Sequence, residues 1–195
     1  TIKENGTVIA SYGQPENAVK VIKKICLERN NSLVVPDESQ IKVLNSGIFG
    51  VEFTYKNSVY KTSMAGFHQI KNMTCAIEAF HVLRRFFEIS DDDIYNGIEK
   101  TVLPARVEVI SKLPLVILDG GHNEDGAKAF YDSVSPYLYK YDKIYVVAGM
   151  MADKAVKASL KPLIEYSDTF IAVTPDNPMG TQSGKIFLTA ISAKA

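Results

Sequence analysis

An apolar run at residues 115–118 leads directly into Asp-Gly-Gly-His-Asn at 119–123, and a helical pattern begins at Glu124. A strand that ends in this way before a helix is typical of open α/β sheets, where ligands bind beyond the carboxyl ends of the strands. The two glycines permit positive φ, and the helix start offers free N–H groups to an anion. The residues alone favour a ligand-binding loop and an ordinary β–α turn, with a capping Asn and an incidental His, about equally.

The order of the predicted elements changes near Arg106. Downstream, strands at 107–110, 115–118, 143–148 and 169–173 alternate with helices at 124–138 and 153–166. This alternation predicts an α/β fold with a parallel sheet and helices on both faces. The loops at 149–154 and 174–178 then open on the same sheet edge as Asp119, so that edge is the expected binding face. We predict a domain boundary between residues 105 and 106.

The upstream half mixes helices with short strands. Strands are predicted at 7–10 and 33–35, a β-hairpin at 47–64, and helices at 16–29 and 69–88. The longest helix carries one apolar stripe, which consists of Met73, Ala76, Ile77, Phe80, Leu83 and Phe87. Ser90 begins a further helix, because it can act as the N-cap while Asp93 completes a capping box.

Two other positions carry candidate functional residues. His68 and Asn72 share a face at the start of the long helix, and an Asn amide is suited to bidentate recognition of an adenine edge. The alternative is a helix start with polar residues in its first turn. Arg106 presents a fixed charge that suits phosphate, although a lone Arg in a linker is more often simply solvated. His81 lies between apolar neighbours and is predicted to be structural.

Composition excludes several classes of function. The 22 Lys and Arg balance the 22 Asp and Glu, and no basic stripe is present, so nucleic acid is not an expected partner. No apolar run approaches the roughly 18 residues that span a bilayer, so no membrane association is expected. Cys26 and Cys75 stand apart in helical segments, which indicates reduced thiols and a cytoplasmic setting. The sequence lacks metal-ligand spacings, a Ser-His-Asp arrangement, a G-x-x-x-x-G-K-[ST] loop and a G-x-G-x-x-G fingerprint.

Six motifs occur in order along the chain. They are I-K-E-N-G at 2–6, H-Q-I-K-N at 68–72, P-A-R-V-E at 104–108, L-D-G-G-H-N at 118–123, G-M-M-A-D-K at 149–154 and T-P-D-N-P at 174–178. In this order the chain resembles the Mur ligase superfamily, and within it the folylpolyglutamate and dihydrofolate synthases, because the D-G-x-H-N form is typical of the folate branch. Ala105 stands where the family usually has Gly, and Gly121 where it usually has Ala. Both replacements exchange one small residue for another.

The resemblance implies an ATP-dependent ligase that adds L-glutamate to a folate or dihydropteroate carboxylate through an acyl phosphate. Residues 1–105 are then the end of a P-loop-type ATPase domain, with helices and a β-hairpin, and residues 106–195 a Rossmann-like Mur ligase C-terminal (glutamate ligase) domain. The implied cofactors are ATP and Mg²⁺, the implied partners are these small-molecule substrates, and the family precedent is a monomer. The family's phosphate loop, magnesium ligands and modified lysine lie upstream of the resembling segment, so no metal ligand is assigned to this chain.

The resemblance also implies roles for particular residues. Asn72 contacts adenine, and Asp119 holds the ribose. Arg106 reaches the phosphates from the linker, and His122 approaches them with Asn123 nearby. The expected catalytic residues are therefore His122, Asp119 and Arg106, and all five residues are expected to bind the nucleotide.

Three further expectations concern the rest of the chain. Asp153 and Lys154 are expected to help form the ligand face, and residues 184–188 are a candidate for a late strand. A start without Met indicates an excised segment, which we expect to be inactive by itself because half of the nucleotide site is absent. The alternatives are a stand-alone nucleotide-binding module and a related Mur-type amide ligase of another pathway.

Overall fold

The computed structural model describes residues 2–150, 156–174, 176, 180, 182 and 186. The chain divides into two compact units, Thr1–Leu103 and Pro104–Ala195, and each unit is described by itself. Among the described residues, none of the helices combines the length and apolarity that a membrane crossing requires. Both units combine helices with strands, as the α/β prediction requires.

The first unit begins with a β–α–β motif and continues with a sheet and two helices. Its elements are β1 (Thr7–Ile9), α1 (Glu16–Glu28), β2 (Ser32–Val34), β3 (Lys42–Gly47), β4 (Gly50–Tyr55), β5 (Ser58–Thr62), α2 (His68–Leu83) and α3 (Asp91–Lys100), with a single 3₁₀ turn at Glu38–Gln40. Strands β1 and β2 pair in parallel, because α1 supplies the crossover that parallel neighbours need. The predicted helix at 16–29 and strands at 7–10 and 33–35 are confirmed to within two residues.

The predicted hairpin at 47–64 is one part of a larger sheet. β4 and β5 form the hairpin, and β3 adds a third antiparallel strand in the order β3-β4-β5. The sequence did not predict β3, because a register shift between Val43 and Asn45 interrupts the alternation of apolar and polar residues. One face of this sheet packs on α2 and α3, and the buried core consists of Val51, Phe53, Tyr55, Tyr60, Met64, Ile70, Met73, Ile77, Ile94 and Ile98.

Helix α2 is shorter at its carboxyl end than the predicted helix at 69–88. It ends at Leu83, and the N–H groups of Arg85 and Phe86 bond carbonyls three residues back, which tightens the last turn. Phe87 was therefore wrongly assigned to the apolar stripe, since 62% of it is exposed. The capping box of α3 is confirmed, because the Ser90 hydroxyl accepts the Asp93 N–H and the Asp93 carboxylate accepts the Ser90 N–H.

A buried carboxylate joins α2 to the β4–β5 turn. The Tyr55 hydroxyl donates to Glu78 Oε1, and Lys56 pairs with the same oxygen at 2.6 Å. Burial raises the pKa of Glu78, but the hydrogen bonds from Lys56 and Tyr55 outweigh burial and hold the pKa below its ordinary value. Burial also lowers the pKa of the nearby His81, which fits the structural role that the sequence predicts for this histidine.

The second unit contains two two-stranded sheets and two helices among its described residues. Its elements are β6 (Glu108–Lys112), β7 (Leu115–Leu118), α4 (Glu124–Leu138), β8 (Tyr145–Ala148), α5 (Val156–Tyr166) and β9 (Thr169–Ala172). Strands β8 and β9 pair in parallel, and α5 lies between them in sequence as the crossover. Beneath them lies a core of Met150, Leu160, Ile164 and Ile186.

Part of the expected sheet arrangement is wrong for this unit. We expected one parallel sheet with helices on both faces, whereas β6 and β7 pair antiparallel and share no ladder with β8 and β9 in the described part of the chain. The reason is that two residues, Leu113 and Pro114, separate β6 from β7, and a connection of that length permits only an antiparallel neighbour. Helices α4 and α5 pack against each other, with the Tyr131 and Tyr166 rings stacked 4.7 Å apart.

Candidate functional site

The Asp119 side chain organises the loop that follows β7. Its Oδ1 accepts the Gly121 N–H at 2.6 Å, and its Oδ2 accepts the Val107 N–H at 2.9 Å. One carboxylate thus joins the β7–α4 loop to the segment before β6, which is twelve residues away in sequence. A carboxylate has about four lone-pair positions, so each oxygen retains the capacity to accept another hydrogen bond, for example from a ribose hydroxyl.

The segment around Arg106 adopts an unusual backbone conformation. Ala105 has φ 54° and Val107 has φ 52°, so two residues without glycine's freedom occupy the left-handed region on either side of Arg106. For a β-branched residue such as Val107 this conformation is rare, and it costs on the order of 1–3 kcal/mol. The Ala105 carbonyl accepts the Gly120 N–H at 2.7 Å, so the surrounding loop stabilises the strained conformation.

Glu108 also supports this segment, and the sequence did not identify it as a site residue. Its Oε2 accepts the Ala105 N–H at 2.8 Å. The available signal was its place in the P-A-R-V-E motif, two residues after Arg106. Glu108 and Asp119 thus bond the backbone on the two sides of Arg106. Among the described residues, no ion pair joins Arg106 to a carboxylate. Arg106 is half-buried, and its guanidinium is the fixed charge that this segment can offer to a ligand anion.

His122 follows the two glycines and is exposed. Its Nδ1 lies 3.2 Å from the Gly120 carbonyl oxygen, and since a carbonyl only accepts, Nδ1 carries the proton in that contact. An imidazolium would keep this bond and present Nε2–H to a second acceptor. The ring is thereby oriented by its own loop, which suits a role in binding an anion.

Asn123 is the N-cap of α4. Its Oδ1 accepts the Gly126 N–H at 2.8 Å, as expected for the alternative interpretation of this residue as a helix cap. The side-chain Nδ2 still offers two N–H donors. Glu124 and Asp125 in the first turn interact favourably with the helix macrodipole, but they add negative charge beside the loop. Arg106, in the segment that Asp119 joins to this loop, therefore carries the permanent positive charge that can attract an anion.

Asn72 belongs to the first unit, on the first turns of α2. Its Nδ2 donates to Gln69 Oε1 at 3.0 Å, and Gln69 Nε2 lies 3.0 Å from His68 Nε2. Gln69 is almost completely buried, so it is a fixed support for the exposed Asn72 amide. One N–H and the Oδ1 of Asn72 remain available, and these are the donor and acceptor that an adenine edge requires.

The predicted site residues thus fall into two groups. Arg106, Asp119, His122 and Asn123 lie together on one pair of loops in the second unit, and Asn72 lies in the first unit. Several predicted positions lie outside the described residues. These are Asp153, Lys154, Pro175, Asn177, Pro178 and, apart from Ile186, the candidate strand at 184–188. The described part of the chain contains no cluster of three or more His, Cys, Asp or Glu that could hold a metal ion.

Comparison with known proteins agrees with this geometry. Residues 105–194 match the family model of the Mur ligase, glutamate ligase domain. The fold and this match define the second unit as a ligase domain of the Mur type.

Curated relatives extend the comparison to the first unit. The chain is 26% identical over 185 residues to folylpolyglutamate synthase of Lacticaseibacillus casei, which covers 91% of this chain and 43% of that protein. It is 28% identical over 171 residues to dihydrofolate synthase/folylpolyglutamate synthase of Bacillus subtilis, with 83% and 39% coverage. Within the Mur type, the chain is thus similar to folylpolyglutamate and dihydrofolate synthases. It spans about two fifths of the length of these two relatives.

A solved structure shows the same fold. Mycobacterium tuberculosis folylpolyglutamate synthase, complexed with ADP and AMPPCP, superimposes with a TM-score of 0.79 at 19% identity. The match covers 96% of this chain and 43% of that structure. At this identity the comparison supports the architecture of the chain, and the roles of individual residues depend on the contacts described above.

The left-handed conformation of Ala105 gives the first testable prediction. Replacement of Ala105 by Gly, the residue usual in the family, should raise the free energy of unfolding of the second unit by about 0.5–1 kcal/mol. The reason is that relief of strain exceeds the entropy that glycine adds to the unfolded chain. Urea unfolding followed by circular dichroism measures the change. Ala129→Gly inside α4 is the control and should cost about 1 kcal/mol, and destabilisation by both variants would contradict a left-handed Ala105.

The close approach of Asp119 to Gly121 gives the second prediction. A Cβ on Gly121 would lie 2.6 Å from Asp119 Oδ1 and 3.3 Å from the Gly126 carbonyl carbon. Gly121→Ala should therefore displace the carboxylate and destabilise the second unit by about 1–3 kcal/mol, as measured by urea unfolding. The matched control is Gly97→Ala on α3, where a Cβ meets nothing within 4 Å and a gain of about 0.5–1 kcal/mol is expected. Equal effects of the two variants would show that the loop accommodates a methyl group.

Proposed function

We propose that the chain carries the glutamate ligase domain, and part of the adjoining ATPase domain, of an enzyme that uses ATP to add L-glutamate to a folate or dihydropteroate carboxylate. The observation that carries the proposal is the loop pair of the second unit, where Arg106 and His122 are presented by a backbone that Asp119 and Glu108 hold. The match to the Mur ligase glutamate ligase domain and the similarity to folylpolyglutamate synthase support the same assignment.

The loop pair suits recognition of phosphate. A guanidinium offers planar, bidentate donors to phosphate oxygens, and an imidazolium His122 offers Nε2–H while its Nδ1–H remains on Gly120. In our proposal Arg106 and His122 bind the phosphates of ATP, Asn123 contributes its Nδ2 donors, and Asp119 accepts a ribose hydroxyl. We propose separately that Asn72, oriented by Gln69, recognises an adenine edge.

The proposed reaction needs binding and charge stabilisation more than covalent help from the protein. The γ-phosphoryl group of ATP passes to the substrate carboxylate and leaves ADP. The amine of L-glutamate then attacks the carbonyl carbon of the acyl phosphate, which forms the amide and releases phosphate and a proton. Both steps gather negative charge on phosphoryl oxygens, and cationic donors stabilise that charge when they are held in place beforehand. Arg106 and His122 are the residues that we assign to this role, so we propose them, with Asp119, as the catalytic residues.

Magnesium has no evident ligand set in the described part of the chain. The resemblance assigns the metal ligands to segments upstream of the motifs present here, and the charge that Mg²⁺ supplies in phosphoryl transfer would come from there. The residues of this chain therefore contribute binding, orientation and fixed positive charge in our proposal.

Calorimetric titration of the chain with ADP tests the phosphate assignment. We expect weak binding, and Arg106→Ala and His122→Ala should each raise the dissociation constant roughly tenfold, the effect of one lost charged hydrogen bond. The control is Lys128→Ala, which removes an exposed cation of α4 that pairs with Asp132 and should leave ADP affinity unchanged. Equal affinity in all four proteins would refute the assignment of Arg106 and His122 to the phosphates.

We also expect the isolated chain to be inactive as a ligase. Its sequence contains no G-x-x-x-x-G-K-[ST] loop to hold a triphosphate, so ATP bound by the loop pair alone would lack half of its contacts. The assay is ATP-dependent incorporation of labelled L-glutamate into dihydropteroate or a folate. Measurable product above a His122→Ala control would show that this segment is catalytically sufficient and would overturn this part of the proposal.

A further inference from the structure

The loop that presents Arg106 depends on two carboxylates, and only one of them, Asp119, belongs to the proposed nucleotide site. The other is Glu108, the first residue of β6. In the β6–β7 ladder Glu108 stands opposite Leu118, the residue before Asp119. Both carboxylates therefore project from the same end of one hairpin, and the segment containing Arg106 lies against that end.

One carboxylate bonds the residue before Arg106, and the other bonds the residue after it. Glu108 Oε2 accepts the N–H of Ala105 at 2.8 Å, and Asp119 Oδ2 accepts the N–H of Val107 at 2.9 Å. Ala105 and Val107 are the residues on either side of Arg106, and both have positive φ. A charged acceptor forms a stronger hydrogen bond than a neutral one, so a strong acceptor holds each strained peptide. The backbone of Arg106 lies between these two fixed residues.

We propose that Glu108 is a positioning residue for Arg106, which it controls through the backbone N–H of Ala105. This inference rests on the proposed function, because it concerns the affinity of Arg106 for the nucleotide phosphates. Without the Glu108 carboxylate the Ala105 N–H loses its acceptor, and the segment before Arg106 is free to leave the left-handed region. The backbone that carries Arg106 is then no longer fixed, and phosphate binding has to supply the free energy of ordering it.

The test compares Glu108→Ala with Glu108→Gln in the whole chain. Calorimetric titration with ADP should show a dissociation constant raised roughly three- to tenfold for Glu108→Ala. Glu108→Gln retains an oxygen that can accept the Ala105 N–H, so its affinity should remain within about twofold of the parent. Asp142→Ala, which removes an exposed carboxylate from the same unit, is the matched control and should change nothing.

A double variant separates positioning from a general loss of stability. If Glu108 acts through Arg106, then Arg106→Ala combined with Glu108→Ala should bind ADP no more weakly than Arg106→Ala alone. Additive losses would mean that Glu108 acts independently of Arg106 and would overturn the inference. No effect of Glu108→Ala, when Arg106→Ala does weaken ADP, would also overturn it while the proposed function stands.

A measurement without ligand tests whether Glu108 holds the segment even if ADP does not bind. Failure of ADP to bind would count against the proposed function and not against this inference. Amide hydrogen exchange, followed by NMR, should show faster exchange of the Ala105 N–H in Glu108→Ala than in the parent and in Glu108→Gln. The amide resonances of Arg106 and Val107 should shift in the same variant. Unchanged exchange and unchanged resonances would show that the Glu108 carboxylate does not hold the segment.

Discussion

Two hydrogen bonds accepted by the Asp119 carboxylate connect the segments on which the candidate site depends. One holds the Gly121 N–H within the β7–α4 loop, and the other holds the Val107 N–H of the segment before β6. The β6–β7 ladder pairs Glu108 with Leu118 and so brings the segment before β6 beside this loop, and the bond to Val107 fixes the last turn of that approach. The carboxylate replaces the water that would otherwise solvate these N–H groups, and it joins two loops into one surface.

The charges around this surface have separate tasks. Asp119 and Glu108 bond backbone N–H groups, and in the described part of the chain neither forms an ion pair with Arg106. Opposite charges in direct contact would satisfy each other, and a ligand phosphate would then have to displace a carboxylate before it could bind. Because the acids are engaged by the backbone, the positive charge of Arg106 remains available. The strain at Ala105 and Val107 is the energetic cost of this arrangement.

Local signals predicted most of the elements, and long-range contacts explain what they missed. The capping box at Ser90 and the cap at Asn123 follow from neighbouring residues, so the sequence shows the helix starts directly. The third strand, β3, lies at the edge of its sheet with a register shift, so its pattern carries no clear period. The support that Glu108 gives Ala105 requires a left-handed backbone at a non-glycine residue, and no composition or spacing rule reports that conformation. Site residues were therefore easier to name than their supporting contacts.

The two departures from the family pattern are linked by the geometry of the loop. Gly121 lets Asp119 approach its own loop closely, since a Cβ there would lie 2.6 Å from Oδ1. In the same geometry Asp119 Oδ2 accepts the Val107 N–H, and this second bond helps to hold the strained segment. Ala105 resists its left-handed conformation more than the usual glycine would, so it has more need of such a restraint. An alanine at 105 is thus best tolerated beside a glycine at 121, and the pair is one solution to a single packing constraint rather than two independent exchanges of small residues.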